Sequence, residues 1–147
     1  MSQRAFFDTN VLVYADAIDE PAKQAIALRE LKAAFVARTG VLSTQVLQEY
    51  CNVALRKLKL PAAHVRAQLA FYEQFEIVQT TPAILRAGLD LHQTRALSFY
   101  DALIVAAAQI AGCATLVSEH INNGVNSGEA IDGVRILNPF ATYAQHA

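Results

Sequence analysis

An excess of one charge, paired cysteines, a Gly-rich phosphate loop and long apolar runs are all missing from this chain of 147 residues. Twelve Lys and Arg stand against thirteen Asp and Glu, a formal net charge of −1. That balance excludes a protein that holds nucleic acid by total positive charge, and leaves room for a local basic rim around an acidic site. The only cysteines are Cys51 and Cys113. Both fall inside apolar helical patterns and not in a Cys-x-x-Cys pair, so they are expected as reduced core residues. No stretch approaches the ~20 apolar residues of a membrane span. The opening MSQRAFFDTN is broken by Asp8 before a signal-peptide run can form, so a reducing cytoplasm is the expected compartment. There is no Gly-rich phosphate loop and no Gly-x-Ser-x-Gly elbow, which removes a P-loop nucleotide binder and a Ser–His–Asp hydrolase. His64, His92 and His146 show no ligand-like spacing with cysteine or with one another, and no role is assigned to them.

What is present is apolar. The 54% hydrophobic content is high enough for part of that surface to be covered by a partner or a second copy. Without repeats, low-complexity tracts or a long linker, residues 1–147 are expected to form a single domain. The chain is organised around residues 98–119, SFYDALIVAAAQIAGCATLVSE. Ser98 and Asp101 have the spacing of a capping box, and an apolar run from 102 to 111 follows, with only Gln109 polar. Gly112 suits the helix stop. Residues 114–117 read as a short buried strand.

Before this unit, residues 4–7 read as the first strand and Val11 begins a short helix. Asp19-Glu20-Pro21 opens a helix over 22–38 with Ile26, Leu28, Leu31, Phe35 and Val36 turned inward. Gly40 is its expected stop. Val41 and Leu42 form a second strand, and Ser43 or Thr44 caps a helix to about 58. Pro61 starts a helix to 74, residues 76–79 a third strand, and Pro82 a helix to about 95. A loop over 120–132 leads to the last strand at 134–137. Strands alternating with helices give an α/β fold with a parallel sheet covered on both faces.

In such a sheet, strand C-termini and helix N-termini share one edge, where ligands bind. Asp8 follows strand one, Glu49 lies in the second turn of the helix after strand two, Asp101 is in the first turn of the central helix, and Glu119 follows strand four. Each acid also has an ordinary role open to it: Asp8 and Asp101 as helix caps, Glu49 as a solvated helix acid, Glu119 as a loop acid. Four carboxylates converging on one edge repel one another unless a divalent cation is present. An all-oxygen set selects Mg²⁺ or Mn²⁺ over zinc, and Thr9, Asn10 and Ser118 can add oxygens or orient the acids. Phosphodiester hydrolysis is the chemistry that fits. An aspartyl-phosphate phosphatase also places Asp after its first strand, but its second Asp would fall where this chain has Asn10.

The motifs FFDTNVLVYA (6–15), STQVLQEYCNV (43–53), LSFYDALIVAAA (97–108), LVSEHINNG (116–124) and VRILNPF (134–140) resemble those of PIN-domain ribonucleases, close to the VapC-like toxins of type II toxin–antitoxin pairs. The resemblance implies a three-layer α/β/α sandwich with a central parallel sheet of about five strands. It implies an RNA-cutting enzyme using Mg²⁺ or Mn²⁺, with Asp8, Glu49 and Asp101 as metal-binding catalytic carboxylates and Glu119 as a fourth. It implies a cognate antitoxin and a homodimer. One departure stands out: where similar sequences read Ser-Glu-Asp, this one reads Ser118-Glu119-His120. An imidazole offers nitrogen in place of oxygen, so the alternative is a catalytically impaired PIN fold that acts mainly by binding its antitoxin. Arg56, Lys57, Lys59, Arg86 and Arg95 are the cations available to hold RNA.

Overall fold

The computed structural model describes residues 3–121 and 130–141. Asn122, Asn123 and Gly124 of the fourth motif, most of the 120–132 loop and His146 lie outside these. Among the described residues six strands form one sheet in the order β3-β2-β1-β4-β6-β5. They are β1 (Ala5–Phe7), β2 (Gly40–Ser43), β3 (Glu76–Val78), β4 (Thr115–Val117), β5 (Ala130–Ile131) and β6 (Val134–Leu137). Five of them run parallel, as expected, and β5 is an additional antiparallel edge strand. It joins β6 through Asp132 and Gly133, both at positive φ (46° and 91°), the backbone a two-residue hairpin loop needs.

Among the described residues there are six helices: α1 (Thr9–Ala15), α2 (Pro21–Ala37), α3 (Thr44–Arg56), α4 (Ala62–Tyr72), α5 (Pro82–Arg95) and α6 (Phe99–Ile110). Helices α1 to α4 pack among themselves and α5 against α6, giving the helical layers of an α/β/α sandwich. Residues 102–108 of α6 are all buried, so this helix is apolar on every side because every side is covered. Among the described residues, no helix is long and apolar enough to cross a membrane. Cys51 and Cys113 are free thiols, the second buried.

Two local expectations are corrected. Helix α2 turns Ala27, Leu31 and Ala34 inward, whereas Leu28 is 48% and Val36 71% exposed. Its apolar residues are spread around the axis, so burying one face leaves the others exposed. Nor does Gly40 stop α2: Arg38 does, in the left-handed conformation (φ 59°). Gly40 is instead the first residue of β2, where an added Cβ would lie 2.5 Å from the Phe75 ring. Gly40→Ala should therefore destabilise the fold by about 1–3 kcal/mol through overpacking. A urea melt unchanged by the substitution would show that Phe75 can move aside.

Candidate metal centre at the sheet switch point

From β1 the chain builds the sheet outward through β2 and β3, then returns to place β4 on the other side of β1. The crevice beyond the ends of β1 and β4 is thus the topological switch point, where open α/β sheets bind ligands. Asp8 leaves β1 there, its N–H donating to the Val117 carbonyl at 3.0 Å. It is buried (7% exposed). The Thr9 amide donates to its Oδ1 at 2.7 Å; the Ser118 hydroxyl (2.8 Å) and Asn10 Nδ2 (3.2 Å) donate to its Oδ2. Burial nevertheless pushes the Asp8 carboxyl up to about 6, with the Ser118 and Thr9 hydrogen bonds opposing and the charges of Asp101 and Glu49 adding to the rise.

Ser43 caps α3 by accepting from the Val46 amide, which sets the helix so that Glu49, half-buried, returns toward Asp8. Its Oε1 accepts from Thr9 Oγ1 and from Gln45 Nε2, each at 3.2 Å. Ser98 caps α6 by accepting from the Asp101 amide at 3.1 Å, and Asp101 is half-buried. Burial raises the Asp101 pKa, while hydrogen bonding to Ser98 and the charge of His120 work against the rise. Asp8, Glu49 and Asp101 line one cavity of about 370 Å³ together with Thr9, Asn10, Lys57 and His120. Of two larger cavities among the described residues, one contains a single acid, Glu76, already paired with Arg4, and the other none.

Glu119 is placed differently and does not line this cavity. Its Oε1 accepts from the Tyr14 hydroxyl at 2.5 Å and its Oε2 from Lys23 Nζ at 2.8 Å. Burial raises its pKa, but the bonds and charges of Lys23, Tyr14 and His120 outweigh that and leave it below the ordinary value. Asn10 stands between the two acids of the adjoining strands: Nδ2 donates to Asp8 while Oδ1 accepts from the Glu119 amide at 3.1 Å. Ser118, buried, also accepts from the amides of His120 and Ile121. The exposed His120 imidazole lies with Nε2 3.4 Å from Glu119 Oε1.

Among the described residues, no three acidic, His or Cys side chains are close enough as they stand to close around an ion. The donor chemistry still fits a hard divalent cation: Asp8, Glu49 and Asp101 share one cavity with the exposed Asp19 and Glu20, and the buried Asp8 is raised partly by Asp101 and Glu49. Two contributors went unseen in the sequence. Gln45, 7% exposed, donates both to Glu49 and to the Tyr100 carbonyl (3.2 Å), tying α3 to the start of α6. Its position four residues before Glu49 was the available signal. Lys23 had none, since its partner is 96 positions away. Of the other expected cations, Arg95 pairs with Asp132, and Arg56, Lys59 and Arg86 are exposed away from the cavity. His64 contacts Asp16 and His92 the Leu97 carbonyl, so both have structural partners.

A comparison with curated proteins found no match. Solved structures resemble the fold. A toxin–antitoxin complex from Klebsiella pneumoniae is 22% identical, with a TM-score of 0.66 over 92% of this chain and 97% of that one. VapC20 of Mycobacterium tuberculosis, a sarcin–ricin-loop-cleaving toxin, is 18% identical, with a TM-score of 0.62 over 81% and 92%. VapBC2 from Rickettsia felis, bound to a DNA fragment from its promoter, is 21% identical, with a TM-score of 0.62 over 90% and 96%. The sequence model of the PIN domain matches residues 5–119, a span that begins at β1 and ends on Glu119, and the chain belongs to the PIN-domain family.

Proposed function

We propose that this chain is a divalent-metal-dependent endoribonuclease, the VapC-like toxin of a toxin–antitoxin pair, acting in the cytoplasm as one domain. The observation that carries this is the convergence of Asp8, Glu49 and Asp101 from three separate elements onto one cavity that Lys57 also lines. Those three carboxylates would hold Mg²⁺ or Mn²⁺, which when bound supplies an activated water and neutralises the phosphate. Thr9 and Gln45 orient Glu49, while Ser118 and Asn10 orient Asp8. Lys57 is positioned to meet a phosphate of the RNA backbone, most readily in a single-stranded or loop region. The exposed Leu28, Phe35 and Val36 of α2, and Leu85 and Leu89 of α5, offer apolar surface for an antitoxin and for a second copy in a homodimer. The fold shared with toxin–antitoxin structures supports this reading.

A binding-only protein is the second reading, favoured by His120, an imidazole on the cavity wall beside Glu119. The two are separated by incubating purified protein with a structured RNA pool and Mg²⁺, Mn²⁺ or EDTA, alongside His120→Asp. We expect EDTA-sensitive cutting by the wild type. His120→Asp, which exchanges an imidazole for a carboxylate facing Asp101, should tighten Mn²⁺ binding on the order of tenfold. Silence of the wild type with cutting by the variant would select the impaired enzyme. Silence of both, with an ion bound to neither, would reject the nuclease.

A further inference from the structure

We propose that Lys23 is a built-in counter-cation that holds Glu119 out of the metal centre, so that the site takes one divalent ion and not two. This rests on the reading of Asp8, Glu49 and Asp101 as the ion's ligands. A two-ion centre needs carboxylates on both ions, which sit about 4 Å apart; Asp19 and Glu20, which also line the cavity, are exposed, and the partly buried acid leaving the strand beside that of Asp8 is Glu119. Both its oxygens are engaged, Oε2 by Lys23 Nζ at 2.8 Å and Oε1 by the Tyr14 hydroxyl at 2.5 Å. Lys23 is itself fixed, donating to the Tyr14 hydroxyl at 3.1 Å and lying 4.7 Å from the centroid of the Tyr14 ring and 6.0 Å from that of Phe140. Glu119 is only 15% exposed at its side chain and Lys23 25%, so this is a partly desolvated pair and not a surface bridge. A second ion would have to displace an ammonium that is already hydrogen-bonded and stacked. Asn10, bonded to Asp8 on one side and to the Glu119 backbone on the other, keeps the paired acid apart from the open ones. Lys23 acts here as a positioning residue, setting the number of ions and not touching the substrate.

The test counts bound Mn²⁺ on the full chain by electron paramagnetic resonance and titration calorimetry. The wild type should bind one ion. Lys23→Met should bind a second, weaker ion, Lys23→Arg should stay at one, and Lys23→Met with Glu119→Gln should return to one. Glu119→Gln alone should leave Mn²⁺ affinity within about twofold, whereas a loss of about tenfold or more, the size seen when a partner of a metal ligand is removed, would overturn the proposal. So would two ions on the wild type, or a count of one on a folded Lys23→Met. Should Lys23→Met fail to fold, the wild-type count and the Glu119→Gln affinity still decide. No ion at all on the wild type would instead reject the metal-centre reading beneath it.

Discussion

Asp8→Asn should abolish RNA cleavage and, in the absence of metal, make the protein more stable at neutral pH. The loss of activity should be at least about a hundredfold, since even outer partners of metal ligands cost up to that in affinity. The gain in stability follows from the same burial. In the folded chain the Asp8 carboxyl is pushed up to about 6 from an ordinary value of 3.8. A raised acid holds its proton more tightly folded than unfolded, so ionising it works against the fold. The destabilisation is absent below about pH 4, grows as pH rises, and is complete above about pH 6. A rise of that size corresponds to about 3 kcal/mol. Urea melts in EDTA should therefore show Asp8→Asn close to the wild type at pH 4 and more stable by about 2–3 kcal/mol at pH 7.5. In Asn the amide oxygen can still accept from the Thr9 N–H, but its Nδ2 would face Asn10 Nδ2 and a Ser118 hydroxyl already accepting from the His120 and Ile121 amides, so about 3 kcal/mol is the upper bound of the gain.

A divalent ion should reverse the ranking. Mn²⁺ stabilises only the protein whose Asp8 can ionise beside it, so it should raise the wild-type melting temperature, more at pH 7.5 than at pH 5.5, and leave Asp8→Asn unmoved. If Asp8→Asn were no more stable than the wild type in EDTA at pH 7.5, the strain assigned to Asp8 would not exist. The Ser118, Thr9 and Asn10 hydrogen bonds would then offset the cost of burying the charge.

Much of this was legible in the sequence because the signals are local. Ser43 and Ser98 each accept from the amide three residues on, as N-cap residues do. Apolar runs bounded by Asp8 and by Ser118 mark β1 and β4 as buried strands, and alternation with helices forces them to be parallel. That arrangement alone brings Asp8, Glu49 and Asp101 to one edge. What was not legible depends on contacts between distant residues. The Lys23–Glu119 pair, the ring stacking behind it and the inward face of α2 are decided by which helices meet. β5 is two residues long and preceded by an Asn- and Gly-rich stretch, so its one signal was Asp132-Gly133, which marks a hairpin only once β6 is known to have a partner.

Asp16→Ala should cost about 3 kcal/mol and weaken the metal centre without touching it. Asp16 follows the last residue of α1, where the free carbonyls make a carboxylate unfavourable. It is held there by donors from two other helices: the Tyr50 hydroxyl at 2.5 Å, Gln68 Nε2 at 3.3 Å and His64 Nε2 at 3.0 Å. Tyr50 is fully buried and packs edge-on against Tyr72. Removing the carboxylate strands a buried hydroxyl, which costs about 1–3 kcal/mol beyond the charge-assisted bond it loses. Tyr50→Phe alone should cost about 1.5 kcal/mol, because Asp16 keeps its other two donors. The pair Asp16→Ala with Tyr50→Phe should be less destabilised than the sum of the singles, since no hydroxyl is then left unpaired. Additive losses in urea melts would show that the bond contributes little. The link to function lies in where the clamp sits. Asp8 opens the helix that Asp16 closes, and Tyr50 follows Glu49 directly on α3, so the Asp16–Tyr50 bond fixes the two helices that carry two of the three carboxylates. Loosening it should lower Mn²⁺ affinity about tenfold, and Asp16→Asn, which still accepts from Tyr50, should recover most of that loss. A weakening of stability with unchanged Mn²⁺ affinity would mean that Thr9 and Gln45 hold Glu49 in place by themselves.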